Sequence, residues 1–415
     1  MKINKKRDMT PFDMNKRPLL QKRYLMPLIW LLSYMQTRKS GLKIERRNME
    51  HIKPPYLVLA THQGESDYAI APLALFPHRA SYVSDVEGFA AYGEWLYRRI
   101  GCIGKRRYVA DVSVIRNIRC ALKRGQSVVI YPESRHSNAG TTSLIPENMG
   151  RLAKSLGVPL VILSAHGSYL ANPFWDEYHT RKVPLCAVLE CIYTADELKL
   201  ADEKGIQQRV AEKLAYDEYD WQRSNHIRIT EEKRAEGLQL ALYQCRACGT
   251  EFRMEAQGQH LCCKECGAQW HLSELGQLEG DDGSIHIPDW YEWQRENVHR
   301  EINEHGYRME CPVTVEALPN AKGFVPLGEG LLLCDEKRFT LKLADQTLHF
   351  PHFTRESVQT EYNYKGKGKC IVLSTRNCCY YIYAQEPEFC PTRIQFAGEY
   401  LHRMRRNLKH IAHII

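Results

Sequence analysis

Across residues 55–194 short apolar runs alternate with stretches whose apolar residues recur at helical spacing. Residues 56–60 (YLVLA), 127–131 (SVVIY) and 159–164 (PLVILS) read as buried strands, and 81–84 (SYVS) as a shorter one. Between them Ile115, Ile118 and Leu122 share one helical face, with Gly125 next as a helix terminator. Met149, Leu152 and Leu156 repeat the pattern before Gly157. Strands that alternate with helices predict an α/β layered domain on a largely parallel sheet.

The pattern then changes. Residues 195–238, rich in Lys, Glu and Gln, read as long exposed helix. Two cysteine pairs follow, then an acidic, glycine-rich stretch at 279–283 that reads as linker. Residues 287–302 (IPDWYEWQRENVHREI) place Pro at a helix start with helical spacing after it. Beyond Gly306, GLLLCDEKRFTLKLADQTLHF and KCIVLSTRNCCYYIYA alternate around turn residues, the signature of hairpins, before a basic helix that begins near Thr392. These changes divide the chain into a basic, amphipathic segment (1–45), an α/β domain (46–235), a small cysteine-bearing unit (236–278), a linker and helix (279–310) and an antiparallel β domain with a closing helix (311–415).

Composition narrows the class. With 415 residues, 44% hydrophobic and 26% charged, the chain is too long for one core and too apolar for disorder. Its net charge of +8 is partly concentrated at Lys2, Lys5, Lys6, Arg7, Lys16, Arg17, Lys22 and Arg23, a block that attracts phosphates. Residues 24–35 (YLMPLIWLLSYM) are almost wholly apolar and flanked by basic residues, yet shorter than the roughly 20 residues a bilayer requires. The residues that follow, MQTRKSG, supply no small-residue cleavage site. The segment reads either as a buried core helix or as a helix lying in a membrane interface; the second joins the two features and implies a peripheral or monotopic protein on the cytoplasmic face. Fifteen cysteines without an export signal suggest metal before disulfide.

The catalytic signal is THQGESD, which sets His62 and Asp67 five positions apart. On a straight helix these residues would not share a face. Here His62 lies just past the strand YLVLA and Asp67 opens the helical run DYAIAPLAL, so a strand-to-helix turn brings them together. Asp67 would accept from one imidazole nitrogen and leave the other as a base. Other strand ends are polar too: SVVIY runs into Pro132-Glu133-Ser134-Arg135, Lys105, Arg106 and Arg107 follow IGCIG, and Ala165-His166-Gly167 follow PLVILS. Polar groups gathered at strand carboxyl ends predict one shared site for an anionic ligand.

This constellation resembles the lysophospholipid acyltransferase family, which includes the acylglycerol-phosphate acyltransferases. The family's first block, a His and an Asp with four residues between, is matched by His62 and Asp67. Its second, an Arg six residues after a Gly, is matched by Gly101 and Arg107. Its third, an aromatic residue followed by Pro-Glu-Gly-Thr-Arg, reads YPESRHS here, so Ser134, Arg135 and His136 replace Gly, Thr and Arg. Its fourth, an apolar segment containing Pro, falls at Val158-Pro159-Leu160-Val161. Order and separations agree over roughly residues 50 to 190.

The resemblance implies direct acyl transfer. His62 would deprotonate an acceptor hydroxyl while Asp67 orients the ring, and the hydroxyl would attack the thioester of an acyl-CoA or acyl carrier protein. No GxSxG elbow is present, consistent with transfer that forms no acyl-enzyme. Arg107, with Arg135, would hold the phosphate of a glycerol-phosphate-type acceptor such as lysophosphatidate. Glu133 would bind acceptor hydroxyls or order the phosphate-binding loop, and Pro132 and Pro159 complete the binding blocks.

The second signal is Cys245-x-x-Cys248 and Cys263-x-x-Cys266, with fourteen residues between the pairs. Two knuckles at this separation predict a structural four-thiolate zinc site, a zinc ribbon, with Gly249 and Gly267 in the turns. Cys262 is out of register with it. The C-terminal alternation with a closing helix resembles a pleckstrin-homology-type module. Two other classes fit parts of the chain: a catalytically inactive membrane scaffold, against which the intact His62 and Asp67 argue, and a nucleic-acid-binding zinc-ribbon protein, against which the ribbon's lack of strong positive charge argues. The acceptor's identity, the donor and the oligomeric state are not written in the sequence.

Overall fold

The computed structural model describes residues 8–176 and 179–412, with side chains through Arg406. Lys2, Lys5, Lys6 and Arg7 of the basic block therefore lie outside the described residues. The four expected strands form as β2 (Leu57–Ala60), β3 (Ala80–Asp85), β5 (Ser127–Ile130) and β6 (Leu160–His166), joined by β1 (Lys43–Arg47), β4 (Cys102–Lys105) and β7 (Cys186–Tyr193). The sheet order is β1-β7-β6-β2-β5-β3-β4. β2 to β6 run parallel, while β7 lies antiparallel to β6 and parallel to β1.

The central strands β2 and β5 are buried at every position because both faces are covered. Val58, Ala60, Val129, Val161 and Leu163 pack on one face against Ile70, Ala71 and Ala74 of α2 (Asp67–Ala74). This face also borders α1 (Met26–Thr37), whose Trp30 packs on Phe76 at 4.4 Å between ring centroids. Leu57, Leu59, Val128, Ile130 and Ile162 face the other way, onto Ile118, Ala121 and Leu122 of α5 (Val112–Lys123) and Ala153 of α6 (Met149–Leu156). Asp111 caps α5, and Gly125 and Gly157 follow the two helices with positive φ, as their positions predict. Two short helices, α3 (Val86–Tyr92) and α4 (Glu94–Arg99), sit between β3 and β4.

Two expectations are corrected. Residues 195–238 are not one long exposed helix; they form helices Ala195–Leu200, Glu203–Leu214 and Glu218–Ser224, and Ile206, Val210 and Leu214 are fully buried on the sheet. The charge-rich composition masks an apolar residue every fourth position, which is enough to dock a helix. The supposed linker at 279–283 is a hairpin between strands Gln277–Gly280 and Gly283–His286, closed through Asp281-Asp282 with Gly283 at φ 105°. That hairpin extends the five-stranded antiparallel sheet that carries the cysteine pairs.

The C-terminal unit is a seven-stranded antiparallel sheet. A four-strand meander begins at Met309–Leu318, and a three-strand meander ends at Cys379–Tyr383; these two strands pair and join the meanders. Helix Pro391–Ala412 closes the unit. The cysteine-bearing sheet, helix Ile287–His305 and the C-terminal sheet share one hydrophobic core with Tyr169 and Trp175 of the α/β domain. The later units are thus packed onto the α/β domain rather than strung behind it.

Candidate functional site

β2 ends at Ala60, and the chain turns through THQGESD into α2. Asp67, at the first position of α2, folds its carboxylate back over this turn. Its Oδ2 accepts the amides of Gln63 (2.5 Å) and Gly64 (3.0 Å) and lies 3.4 Å from His62 Nδ1. Gly64 is needed here because a Cβ would come 3.0 Å from the Ser168 carbonyl oxygen. The five-position spacing therefore works as the turn predicts. Both residues are buried, His62 5% exposed and Asp67 2%.

Burial dominates the electrostatics. It holds the His62 imidazole down at about 3, helped by the positive charges of Arg107 and Lys105. It lifts Asp67 to about 6, against the amides that favour its ionised form. At neutral pH the pair is a neutral imidazole beside a carboxylate, the state a general base requires. The other ring nitrogen, Nε2, lies 3.3 Å from the Tyr68 hydroxyl. A hydroxyl on that nitrogen occupies the place an acceptor hydroxyl would take.

The third block wraps the same turn. Tyr131 donates to the Asp67 carbonyl oxygen (3.0 Å), and its ring lies 4.5 Å from that of His62. Pro132 is buried behind it. Glu133, 1% exposed, accepts the His62 amide on one oxygen (2.8 Å), and the Ser143 amide (2.7 Å) and Tyr216 hydroxyl (3.0 Å) on the other. Burial raises this carboxyl to about 7. These three bonds tie the Glu133 carboxyl to the turn that carries His62 and to the segments that carry Ser143 and Tyr216. Ser134 adopts φ 61°, the left-handed region where glycine is at ease, which is why a glycine suits this position. Lys105 Nζ donates to Ser134 Oγ (2.5 Å), and Ser134 Oγ to the Pro132 carbonyl (3.2 Å), holding the strained turn.

The arginines part company. Arg107 is ion-paired with Asp85 and lies 3.8 Å from Glu361 of the C-terminal sheet, at the same end of the α/β sheet as His62. Arg135 turns away from His62 to Glu399 on the closing helix (2.9 Å) and Ser357 (3.3 Å). Arg106 donates to the carbonyls of Pro319, Arg376 and Asn377. Pro159 precedes β6 and bonds through its carbonyl to the Leu57 amide, at the opposite end of the sheet from His62. The structure thus gathers His62, Asp67, Pro132, Glu133 and Arg107 at one strand-end cluster, and leaves Arg135 at a domain interface and Pro159 across the sheet.

Sequence reasoning missed several residues. Gln63 binds the Ala165 carbonyl (2.7 Å) and Glu218 (2.9 Å), and Glu218 also accepts from the Gly167 amide and contacts His166 Nδ1, both at 2.7 Å. Gln63, Tyr68 and His136 sit inside or beside the quoted blocks and were legible as neighbours. Glu218, 155 residues from Gln63, carried no signal.

The cysteine site is compact. Cys245 and Cys266 sulfurs are 3.8 Å apart, as are those of Cys248 and Cys263, and all four lie within 4.8 Å of one another. Disulfides need about 2.05 Å. Zn–S bonds of about 2.3 Å place tetrahedral sulfurs about 3.8 Å apart, so the cluster could hold one metal ion. Gly249 and Gly267 shape the knuckle turns at φ 78° and 75° and return their amides to the carbonyls of Cys245 and Cys263.

Two segments of the chain match known families. Residues 43–164 match the family described as Acyltransferase, and residues 210–305 match one described as membrane iron-sulfur containing protein FtrD-like. No curated protein matches the chain. Among solved structures, the chain is similar to the 1-acyl-sn-glycerophosphate (LPA) acyltransferase PlsC from Thermotoga maritima at 18% identity, covering 46% of this chain and 81% of that one, with a TM-score of 0.34. It is also similar to an SsgA-like sporulation-specific cell division protein from Thermobifida fusca YX-ER1 at 16% identity, covering 25% and 96% of the two chains, with a TM-score of 0.16. The first block, the second and the third all fall inside the matched acyltransferase segment, which supports acyl transfer in general.

Proposed function

We propose that the chain is a membrane-surface O-acyltransferase that moves a fatty acyl group from a thioester donor to a hydroxyl of a glycerol-phosphate-type lipid such as lysophosphatidate. The observation that carries this reading is the buried His62–Asp67 pair at a strand carboxyl end, inside the segment that matches the acyltransferase family. The acceptor hydroxyl displaces that of Tyr68 at His62 Nε2 and gives up its proton as its oxygen bonds to the thioester carbon. The tetrahedral intermediate collapses with cleavage of the C–S bond, and the imidazolium returns the proton to the departing thiolate. Asp67 holds the ring by Nδ1 and stabilises the transient imidazolium. Arg107 and Lys105 supply the positive charge that a phosphate-bearing acceptor needs.

The surface supports a lipid location. Leu28, Leu31, Leu32, Tyr34 and Met35 of α1 are each about half exposed, and half-exposed Phe76, packed on Trp30, adjoins them. Among the described residues no helix is long and apolar enough to cross a membrane; the exposed apolar side chains of α1 suit a helix lying in the plane of a membrane interface. The four thiolates would hold a structural zinc ion, which supplies folding energy rather than chemistry. A multi-iron cluster would spread its thiolates over different iron atoms, whereas these four converge on one point. Two meanders joined by their first and last strands with a closing helix support the pleckstrin-homology-type reading of the C-terminal unit.

The test is an assay of the full-length protein against lysophosphatidate, glycerol 3-phosphate and other lysolipids, with acyl-CoA and acyl carrier protein donors. Wild type should acylate at least one acceptor, and His62→Ala should lose about 10²- to 10⁴-fold. A His62→Ala variant with wild-type turnover would overturn the mechanism.

A further inference from the structure

Acyl transfer needs a hydrogen-bond donor for the carbonyl oxygen as it becomes an oxyanion, and the amides of the catalytic turn are not free to serve. The His62 amide is donated to Glu133, and those of Gln63 and Gly64 to Asp67. Lys105 is held by Ser134, Arg107 by Asp85 and Glu361, and Arg135 by Glu399. Apart from the Tyr68 hydroxyl, which lies on His62 Nε2 where the acceptor would enter, one polar side chain against His62 remains. The His136 ring stands edge-on to that of His62, with centroids 4.5 Å apart and planes at 81°, and closes an aromatic enclosure with Tyr68 and Phe174. Its Nε2 is buried and has no hydrogen-bond partner among the described residues. A buried imidazole nitrogen without a partner costs stability, so its persistence beside a reactive group points to use.

We propose that His136 is a catalytic residue whose Nε2–H hydrogen-bonds the thioester carbonyl oxygen and stabilises the oxyanion of the tetrahedral intermediate. This rests on the acyl-transfer reading of His62 and assigns the reaction's second half. As the acceptor oxygen bonds to the carbonyl carbon, the hydroxyl proton passes to His62 and the carbonyl π electrons move onto the oxygen held by His136. When the C–S bond breaks, those electrons re-form the carbonyl and the thiolate takes the proton back from His62. His136 gains and loses no proton.

Two observations agree with a donor of this kind. Burial first, then the neighbouring His62, hold the His136 imidazole down at about 3, so at neutral pH it is neutral with one N–H to give. A neutral imidazole is an effective electrophile towards a carbonyl because it polarises the oxygen without a proton to lose. Finally, Arg135 turns into the domain interface while the next side chain returns to the site, so position 136 brings an imidazole where the third block usually carries an arginine. A guanidinium there would further oppose the imidazolium that must form on His62.

The test compares His136→Phe, which keeps ring volume without a donor, and His136→Asn, which keeps an amide donor, in the full-length protein with palmitoyl-CoA and lysophosphatidate in mixed vesicles. His136→Phe should lower kcat by about 10²- to 10³-fold, with KM for the acceptor and the acid limb of the pH profile unchanged. His136→Asn should recover part of the loss. In the His62→Ala background, the carbonyl stretch of bound ¹³C-carbonyl palmitoyl-CoA should lie at lower frequency with His136 present than with Phe. Thermal unfolding of each variant separates lost chemistry from lost folding, and the infrared shift remains readable at low turnover. A wild-type kcat in His136→Phe, a change confined to KM, or an unshifted carbonyl overturns the proposal and leaves the role of His62 standing. Wild-type turnover in His62→Ala, or no transfer by wild type to any acceptor, overturns both.

Discussion

Arg135 of the third block and Glu399 of the closing helix form an ion pair of 2.9 Å with side chains 4% and 7% exposed. Arg295 pairs with the second oxygen of Glu399, and Ser357 donates to the first at 2.6 Å. Burial opposes ionisation of Glu399, yet Arg135 and Arg295 together hold it down at about 2. The network fastens the catalytic block to the C-terminal unit.

Arg135→Ala should therefore act on stability before it acts on substrate. Removing one partner of a buried pair costs about 3–5 kcal/mol, because the remaining charge stays buried. Glu399 is depressed below its unfolded value of 4.5, so its contribution is present above pH 4.5 and is lost as pH falls towards 2. We expect Arg135→Ala to lower Tm by several degrees and to lessen the acid sensitivity of unfolding between pH 4.5 and 2, with KM for the acceptor little changed. Calorimetry and steady-state kinetics on the same preparation decide it. A normal Tm with a large rise in KM would return Arg135 to the substrate.

The pH profile should report Asp67. His62 is held at about 3, so its neutrality does not limit activity near pH 6, whereas Asp67, at about 6, must be ionised to orient it. kcat/KM should rise as pH increases through about 6 and level off by pH 8, with the apparent value belonging to the pair. For stability the sign reverses. Asp67 is raised from 3.8, so its contribution is complete below 3.8 and lost as pH rises through about 6. Asp67→Asn should thus be crippled in turnover, lack the acid limb, and gain Tm relative to wild type between pH 5 and 8. A variant that keeps the limb would assign it to another group.

One zinc ion per chain is expected on Cys245, Cys248, Cys263 and Cys266, measured by elemental analysis of protein purified without chelator. Cys263→Ser should lose it. Trp270 packs on Trp290 at 4.7 Å, so metal loss should raise hydrogen exchange in the cysteine-bearing sheet and in helix Ile287–His305, while β2 and β5 stay protected. Iron in place of zinc would support the likeness to the iron-sulfur family, and no metal at all would remove the site.

Leu31 and Leu32 are 54% and 55% exposed on α1. Changing both to Asp should leave Tm nearly unchanged, because exposed positions shift stability by about 0.5 kcal/mol or less. Each leucine buried in a membrane is worth about 1.5–3 kcal/mol, so pelleting with phosphatidylserine vesicles should weaken at least tenfold. Undiminished pelleting would move the membrane contact to another surface.

The sequence by itself determined the elements whose physics is local. β2, β5 and β6 each carry an unbroken apolar run of at least three residues because both of their faces are covered, and α5 and α6 end where glycines supply a positive φ. The His62–Asp67 pairing and the cysteine knuckles were legible because each is built within a single turn or hairpin, where spacing fixes geometry. Only the tertiary structure decided which side chains remain available for chemistry. Glu133 and Arg135 lie two residues apart, yet one is committed to the catalytic turn and the other to a helix more than 250 residues away. A partner that distant leaves no mark on local pattern, because periodicity records which face of an element is buried and not what buries it. The same holds for Glu218 beneath Gln63, and for Pro159, whose sequence block is near while its place in the sheet is far from His62.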